Sequence, residues 1–90
     1  MASYSVFIKK SAVKELERVA GKKVRQRIVE RISALGSEPR PAGVEKLSGT
    51  AEKYRVRQGD FRIVFEIDDV EATVTIVKIG HRKEVYRRPR

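Results

Sequence analysis

KYRVRQGDFRIVFEI, residues 53–67, decides the fold. Apolar and polar residues alternate on both sides of Gly59-Asp60, the pattern of two β-strands around a tight turn. Gly accepts the positive φ at the first central position of a type II′ loop, so a two-residue hairpin is expected. That loop pairs Gln58 with Phe61, Arg57 with Arg62, Val56 with Ile63 and Tyr54 with Phe65. Tyr54, Val56, Ile63 and Phe65 then share the core face, because successive side chains of a strand point to opposite sides.

Lys53, Arg55, Arg57 and Arg62 share the other face, with Glu66 as the only anion the hairpin offers there. Like charges opposite one another across a ladder cost roughly 0.2–1 kcal/mol per pair. Two readings follow. One is a solvated face on a basic protein; the other is a surface built to receive phosphate, whose charge relieves the repulsion.

Working outward, the 90 residues predict a single domain, 1–90, with one core. Lys and Arg number 21 against 12 Asp and Glu, and the resulting charge of +9 favours a polyanion or an acidic protein as partner. No apolar run suits a bilayer, so no membrane partner is expected. The absence of cysteine excludes disulfides and thiolate chemistry, which suits the cytoplasm. No signal-peptide h-region is expected either, because polar residues return at Lys9-Lys10.

Before the hairpin, Tyr4 to Ile8 reads as a strand. Ser11 is the expected N-cap of a helix from Ala12 to Ala20, with Val13, Leu16 and Ala20 on its apolar stripe and Gly21 ending it. A second helix from Lys22 to Leu35 carries Val24, Ile28, Ile32 and Leu35 inward. Its other face carries Lys23, Arg27, Glu30 and Arg31, which read first as a solvated helix surface, and the cations among them only second as contacts for RNA. Gly36, Pro39 and Pro41 then stop helical structure. After the hairpin, Asp68 to Glu71 turns the chain into a strand from Ala72 to Ile79. Its apolar residues fall on both faces, which predicts cover on both sides. The order is β-α-α-β-β-β. Two helices can bury their stripes only on the Tyr54/Val56/Ile63/Phe65 face, so the expected fold is a two-layer α+β domain with the arginines outward.

The usual catalytic sets are missing. One His and no Cys exclude a zinc site built from those residues, and no P-loop is present. What remains is a cationic surface with a phenol, Tyr86, nearby. That set suits attack of an RNA 2′-hydroxyl on its adjacent phosphate, because the substrate brings the nucleophile and no cofactor is needed. Arg stabilises a pentavalent phosphate but keeps its proton, whereas nearby cations favour the phenolate of a Tyr whose pKa is normally ~10. Tyr86 is therefore the proton-acceptor candidate, against the simpler role of an aromatic lid on the sheet end.

A strand followed by SAVKEL, a helix pair ending in PRP, KLSG before YRVRQGDFRIVFEI, and VKIGHRKEVY at the end span residues 4 to 86. With these features the chain resembles the RelE/ParE superfamily of bacterial and archaeal toxins from toxin–antitoxin pairs. The resemblance implies that the first strand lies beside the last and that a short extra strand forms near Val44 to Leu47. For the RelE branch it implies an mRNA endonuclease acting in the A site of the 70S ribosome, checked by a cognate antitoxin that lays an acidic or amphipathic segment over the Arg face. Arg55, Arg57 and Arg62 match the positions that hold and stabilise the phosphate, Arg82 the one at the leaving group, and Tyr86 the general base. Lys53, Lys23, Arg27, Arg31, His81 and Lys83 are the further cations offered to RNA and ribosome. In one departure, the ribonuclease prototype carries lysines where this chain has Arg55 and Arg57. The ParE branch shares the fold but inhibits DNA gyrase without cutting anything, and its members generally lack the strand arginines and C-terminal tyrosine. A plain RNA-binding domain is a third reading, disfavoured by the lack of a surface aromatic pair for stacking bases.

Overall fold

A computed structural model of the chain describes residues 3–47 and 52–81. The elements are β1 (Ser5–Ile8), α1 (Lys10–Glu17), α2 (Lys22–Ser37), β2 (Glu45–Lys46), β3 (Lys53–Gln58), β4 (Phe61–Asp68) and β5 (Thr73–His81). The central hairpin forms in the expected register, from Gln58 opposite Phe61 to Tyr54 opposite Phe65. Gly59 takes φ +62°, the left-handed value that the tight turn requires.

The five strands order as β1-β5-β4-β3-β2. Only β1 and β5 run parallel. Parallel neighbours need a long crossover, which here comprises both helices and the hairpin. The short extra strand appears as Glu45–Lys46 at the sheet edge. Both helices pack on one face, which gives the expected two-layer α+β fold.

Tyr54, Val56, Ile63 and Phe65 meet Ile28, Ile32 and Leu35 of α2 in the core, joined by Ala12 and Val19. Phe65 is fully buried, and its ring stacks on Tyr54 with centroids 5.9 Å apart. Burial of such a side chain contributes about 1.5–3 kcal/mol. Among the described residues, no helix is long and apolar enough to cross a membrane.

Tertiary pairing moves the helix boundaries. Ser11 is not the N-cap of α1; the helix begins at Lys10, after an extended Lys9 with no side-chain cap. Lys9 is held by the sheet, its N–H donating to the Ile76 carbonyl at 3.0 Å while its own carbonyl takes the Val13 N–H at 2.9 Å. The strand partner thus decides where the helix starts. The earlier start turns Ala12 inward and leaves Ala20 exposed. At the other end, the Arg25 guanidinium donates to the Val19 carbonyl at 2.9 Å, capping the turn between the helices. Gly36 does not stop α2 but sits within it. A Cβ there would lie 3.0 Å from the Tyr4 carbonyl oxygen, so glycine lets the chain entering β1 pass close to the helix without displacement. Val24, expected on the buried stripe, is 39% exposed.

The two-faced apolar pattern of the last strand has a different cause from cover on both sides. Val64 pairs with Lys78 and Phe65 with Ile76, so Val77 is an extra residue in a β-bulge. The bulge reverses the alternation, and Val74, Ile76 and Ile79 all enter one core.

A polar clasp closes the end of the sheet away from Gly59. The Arg40 guanidinium donates through both terminal nitrogens to Asp69, at 3.2 and 3.0 Å, and through Nε to the Tyr54 hydroxyl at 3.2 Å. Tyr4 donates to Asp69 at 2.7 Å, and Tyr54 donates to Glu52 at 2.6 Å. The Arg40 hydrogen bond, then that of Tyr4, holds the Asp69 carboxyl below its ordinary range. Stability from a depressed carboxylate is complete above its unfolded pKa of about 4 and is lost as pH falls through the lower folded value. Asp69→Asn is therefore expected to lower the melting temperature at neutral pH and to flatten its decline in acid. Melts between about pH 2 and pH 7 check this, and parallel curves for the two proteins would refute it.

Candidate functional site

The hairpin register sets the geometry of the outer face. Arg57 lies opposite Arg62, Arg55 opposite Val64 and Lys53 opposite Glu66, with the Lys53–Glu66 pair at 4.0 Å. β2 then adds Glu45 opposite Arg55. Gly43, Glu45, Arg55, Arg57 and Arg62 together line a cup of about 220 Å³. That is smaller than the roughly 300–1,000 Å³ of a small-molecule pocket and suits a single anionic group.

The three strand arginines do not form a bare row, as the hairpin alone suggested. Arg62 is only 9% exposed, as is Val64 beside it. Arg55 donates to the Glu45 carboxylate at 2.5 Å, and its side chain is 21% exposed. Arg57 stands in solvent, its Nε donating to the Gly59 carbonyl at 2.9 Å. That bond uses Nε alone and anchors the guanidinium to the turn.

Glu45 is the residue that the sequence reading missed, since Glu66 was taken as the face's only anion. Its signal was present but indirect. Once a short strand is placed near Val44 to Leu47, pairing it against β3 puts a carboxylate on Arg55. The Arg55 hydrogen bond, and then the charges of Arg55 and Arg62, lower the Glu45 pKa. Glu45 is thus a firm counter-ion and a weak proton acceptor. It brings one carboxylate into the cup, on Arg55.

The other sequence-derived candidates divide by location. Lys53 shares the outer face with the cup. Lys23 and Arg27 are exposed on α2 and Arg31 is half-buried, all on the helical layer across the sheet from the arginines. His81 ends β5 opposite Phe61, with the rings edge-on and centroids 5.5 Å apart. Because Phe61 packs toward the core, His81 also faces the helical side. Arg82, Lys83 and Tyr86 lie outside the described residues.

A larger concavity of about 760 Å³ opens between α1 and α2, lined by Leu16, Arg25 and Val29 among others. Its lining surface is mainly apolar, and the two cations there, Lys22 and Arg25, are balanced in number by Glu17 and Glu30, so no excess of positive charge gathers for a phosphate. The arginine cup is the better chemical candidate despite its size.

A family model described as the ParE toxin of the type II toxin–antitoxin system parDE matches residues 6–86. Toxin RelG of Mycobacterium tuberculosis is 35% identical over 54 residues, covering 60% of this chain and 62% of RelG, so the chain aligns with less than two thirds of that relative. The archaeal RelE–RelB complex from Pyrococcus horikoshii contains a chain 33% identical, covering 89% of this chain and 96% of that one, with a TM-score of 0.80. The toxin–antitoxin complex RelBE2 of Mycobacterium tuberculosis gives 27% identity, 91% and 94% coverage and a TM-score of 0.79. The isolated RelE toxin of E. coli gives 25%, 93% and 92%, and 0.75. In sequence pattern and in chain path alike, this protein belongs to the RelE/ParE superfamily of toxins from type II toxin–antitoxin systems.

Proposed function

We propose that this toxin is a metal-independent endoribonuclease that cuts mRNA in the ribosomal A site. The observation that carries the reading is the Arg57–Arg62 pair. Two guanidiniums face each other across a ladder, beside Arg55, in a cup sized for one anion. A phosphodiester entering there shares its charge among guanidiniums that the ladder already holds side by side.

In the reaction, Arg55 and Arg57 hold the phosphate oxygens, displacing Glu45 from Arg55. Tyr86 takes the proton of the 2′-hydroxyl. The 2′-oxygen–phosphorus bond forms as the phosphorus–5′-oxygen bond breaks, leaving a cyclic phosphate. Arg62 stabilises the equatorial charge and Arg82 the departing 5′-oxygen, which takes its proton from water. Arginine keeps its proton throughout, so the strand residues supply field and alignment rather than acid–base exchange. Lys53, Lys23, Arg27, Arg31, His81 and Lys83 add cationic contacts to ribosome and RNA, which places the activity in the cytoplasm.

The solved relatives from Pyrococcus horikoshii and Mycobacterium tuberculosis are complexes with antitoxins. By the same logic this chain pairs with a cognate antitoxin, whose acidic or amphipathic segment covers the arginine face and excludes the phosphate. A second reading, inhibition of DNA gyrase without cleavage, draws on the parDE description of the matching family.

Primer extension on a translated message, with and without ribosomes, tests the first reading. Arg57→Ala is expected to slow cleavage by about 10²-fold or more, with a smaller loss of ribosome affinity. Tyr86→Phe is expected to slow it by about 10²–10⁴-fold and leave binding nearly intact. Full cleavage by both variants would sink the mechanism. Ribosome association should also weaken steeply as salt rises, because phosphate contacts release counterions. A flat salt response together with loss of gyrase supercoiling would favour the second reading.

A further inference from the structure

β1 pairs with β5 only as far as Ile8 opposite Ile76. The chain then leaves the sheet at Lys9 to enter α1, whereas β5 runs on to His81. Along that last stretch β4 continues on one side of β5, but on the other β1 has already ended. Into this gap α1 lowers one side chain. Glu15 Oε1 accepts the Ile79 backbone N–H at 2.7 Å, and its Oε2 accepts the Lys78 ammonium at 3.0 Å.

A helix glutamate with a lysine partner is ordinary surface chemistry. One that also takes a sheet N–H, 64 residues along the chain, is not. The carboxylate occupies the position of a neighbouring strand's carbonyl, and it does so immediately after the bulge at Val77. A bulge re-aims the strand that follows it, so a contact just beyond it sets that strand's exit direction. Here the exit leads from His81 to Arg82 and Tyr86 in the sequence.

We infer that Glu15 is a positioning residue: its carboxylate stands in for the strand that β1 no longer supplies and fixes the end of β5, the strand that leads in sequence to Arg82 and Tyr86. The catalytic half of this inference rests on the ribonuclease reading above; the hold on the strand end does not. Nothing reacts at Glu15. It acts through Ile79 and Lys78.

The chain's single histidine makes the test direct, because the His81 imidazole signals report the strand end without ambiguity. Glu15→Ala is expected to shift those signals, to speed exchange of the Ile79 amide, and to cut cleavage by about 100-fold, as an ångström-scale misplacement does. Ribosome binding should hold. Glu15→Gln keeps an oxygen for the Ile79 N–H and is expected to restore all three readouts. If Glu15→Ala does not fold, Glu15→Asp carries the test. It retains the charge but is one methylene too short, and partial losses are expected.

Unchanged imidazole signals and amide exchange in the Ala or Asp variant would overturn the proposal. So would altered signals with full cleavage, or failure of Gln to rescue. If the wild-type protein arrests growth but cuts no message, the ribonuclease reading falls. Growth arrest then replaces cleavage as the third readout, with the same expectations for each variant.

Discussion

The two-residue turn at Gly59–Asp60 governs the rest, because it sets the register between β3 and β4. Gly59 holds φ +62° there. A slip of one residue would exchange the two faces of β3, burying Arg55 and Arg57 and exposing Tyr54 and Val56. The core would lose the surface on which α2 packs, and the outer face would lose its arginines. Fold and candidate site are therefore two consequences of one turn. The favourable burial of Phe65, Ile63 and Val56 on one side is what obliges Arg57 and Arg62 to meet on the other.

Local patterning made that much legible before any coordinates. The alternation gave the hairpin partners residue by residue, and the helical stripes gave Ile28, Ile32 and Leu35 as core. What could not be read was whatever depended on a distant partner. The start of α1 is set by the Ile76 carbonyl, not by Ser11. Gly36 looked like a helix stop, yet it is a point of contact with β1. The bulge at Val77 disguised one core face as two. Glu45, Arg40 and Glu15 were overlooked for the same reason, since each acts on a residue that lies close only after folding.

Charge is distributed less evenly than a net +9 suggests. Arg40 and Lys46 are spent on Asp69 and Glu52 at the clasp, and Lys78 on Glu15. Lys53 is loosely matched by Glu66 at 4.0 Å. The arginine cup differs in kind: three arginines line it with one carboxylate, Glu45 of the short edge strand β2, which bonds Arg55. In the proposed reaction Glu45 competes with the phosphate for Arg55. A carboxylate and a phosphodiester each carry one negative charge over two free oxygens, so the proposed displacement turns on how many guanidiniums each engages: Glu45 bonds Arg55, whereas the proposed phosphate engages all three.

That arrangement also constrains the proposed chemistry. Guanidiniums hold their protons at any accessible pH, and Glu45, held as an anion by Arg55, is a poor acceptor. The cup can therefore stabilise a transition state but cannot by itself move a proton. Arginine at positions 55 and 57, in place of lysine, sharpens the division, because an ammonium in such company could surrender a proton whereas a guanidinium cannot. The proton acceptor must then come from elsewhere in the chain. In the proposed reaction that acceptor is Tyr86, five residues in sequence beyond the strand end that Glu15 holds.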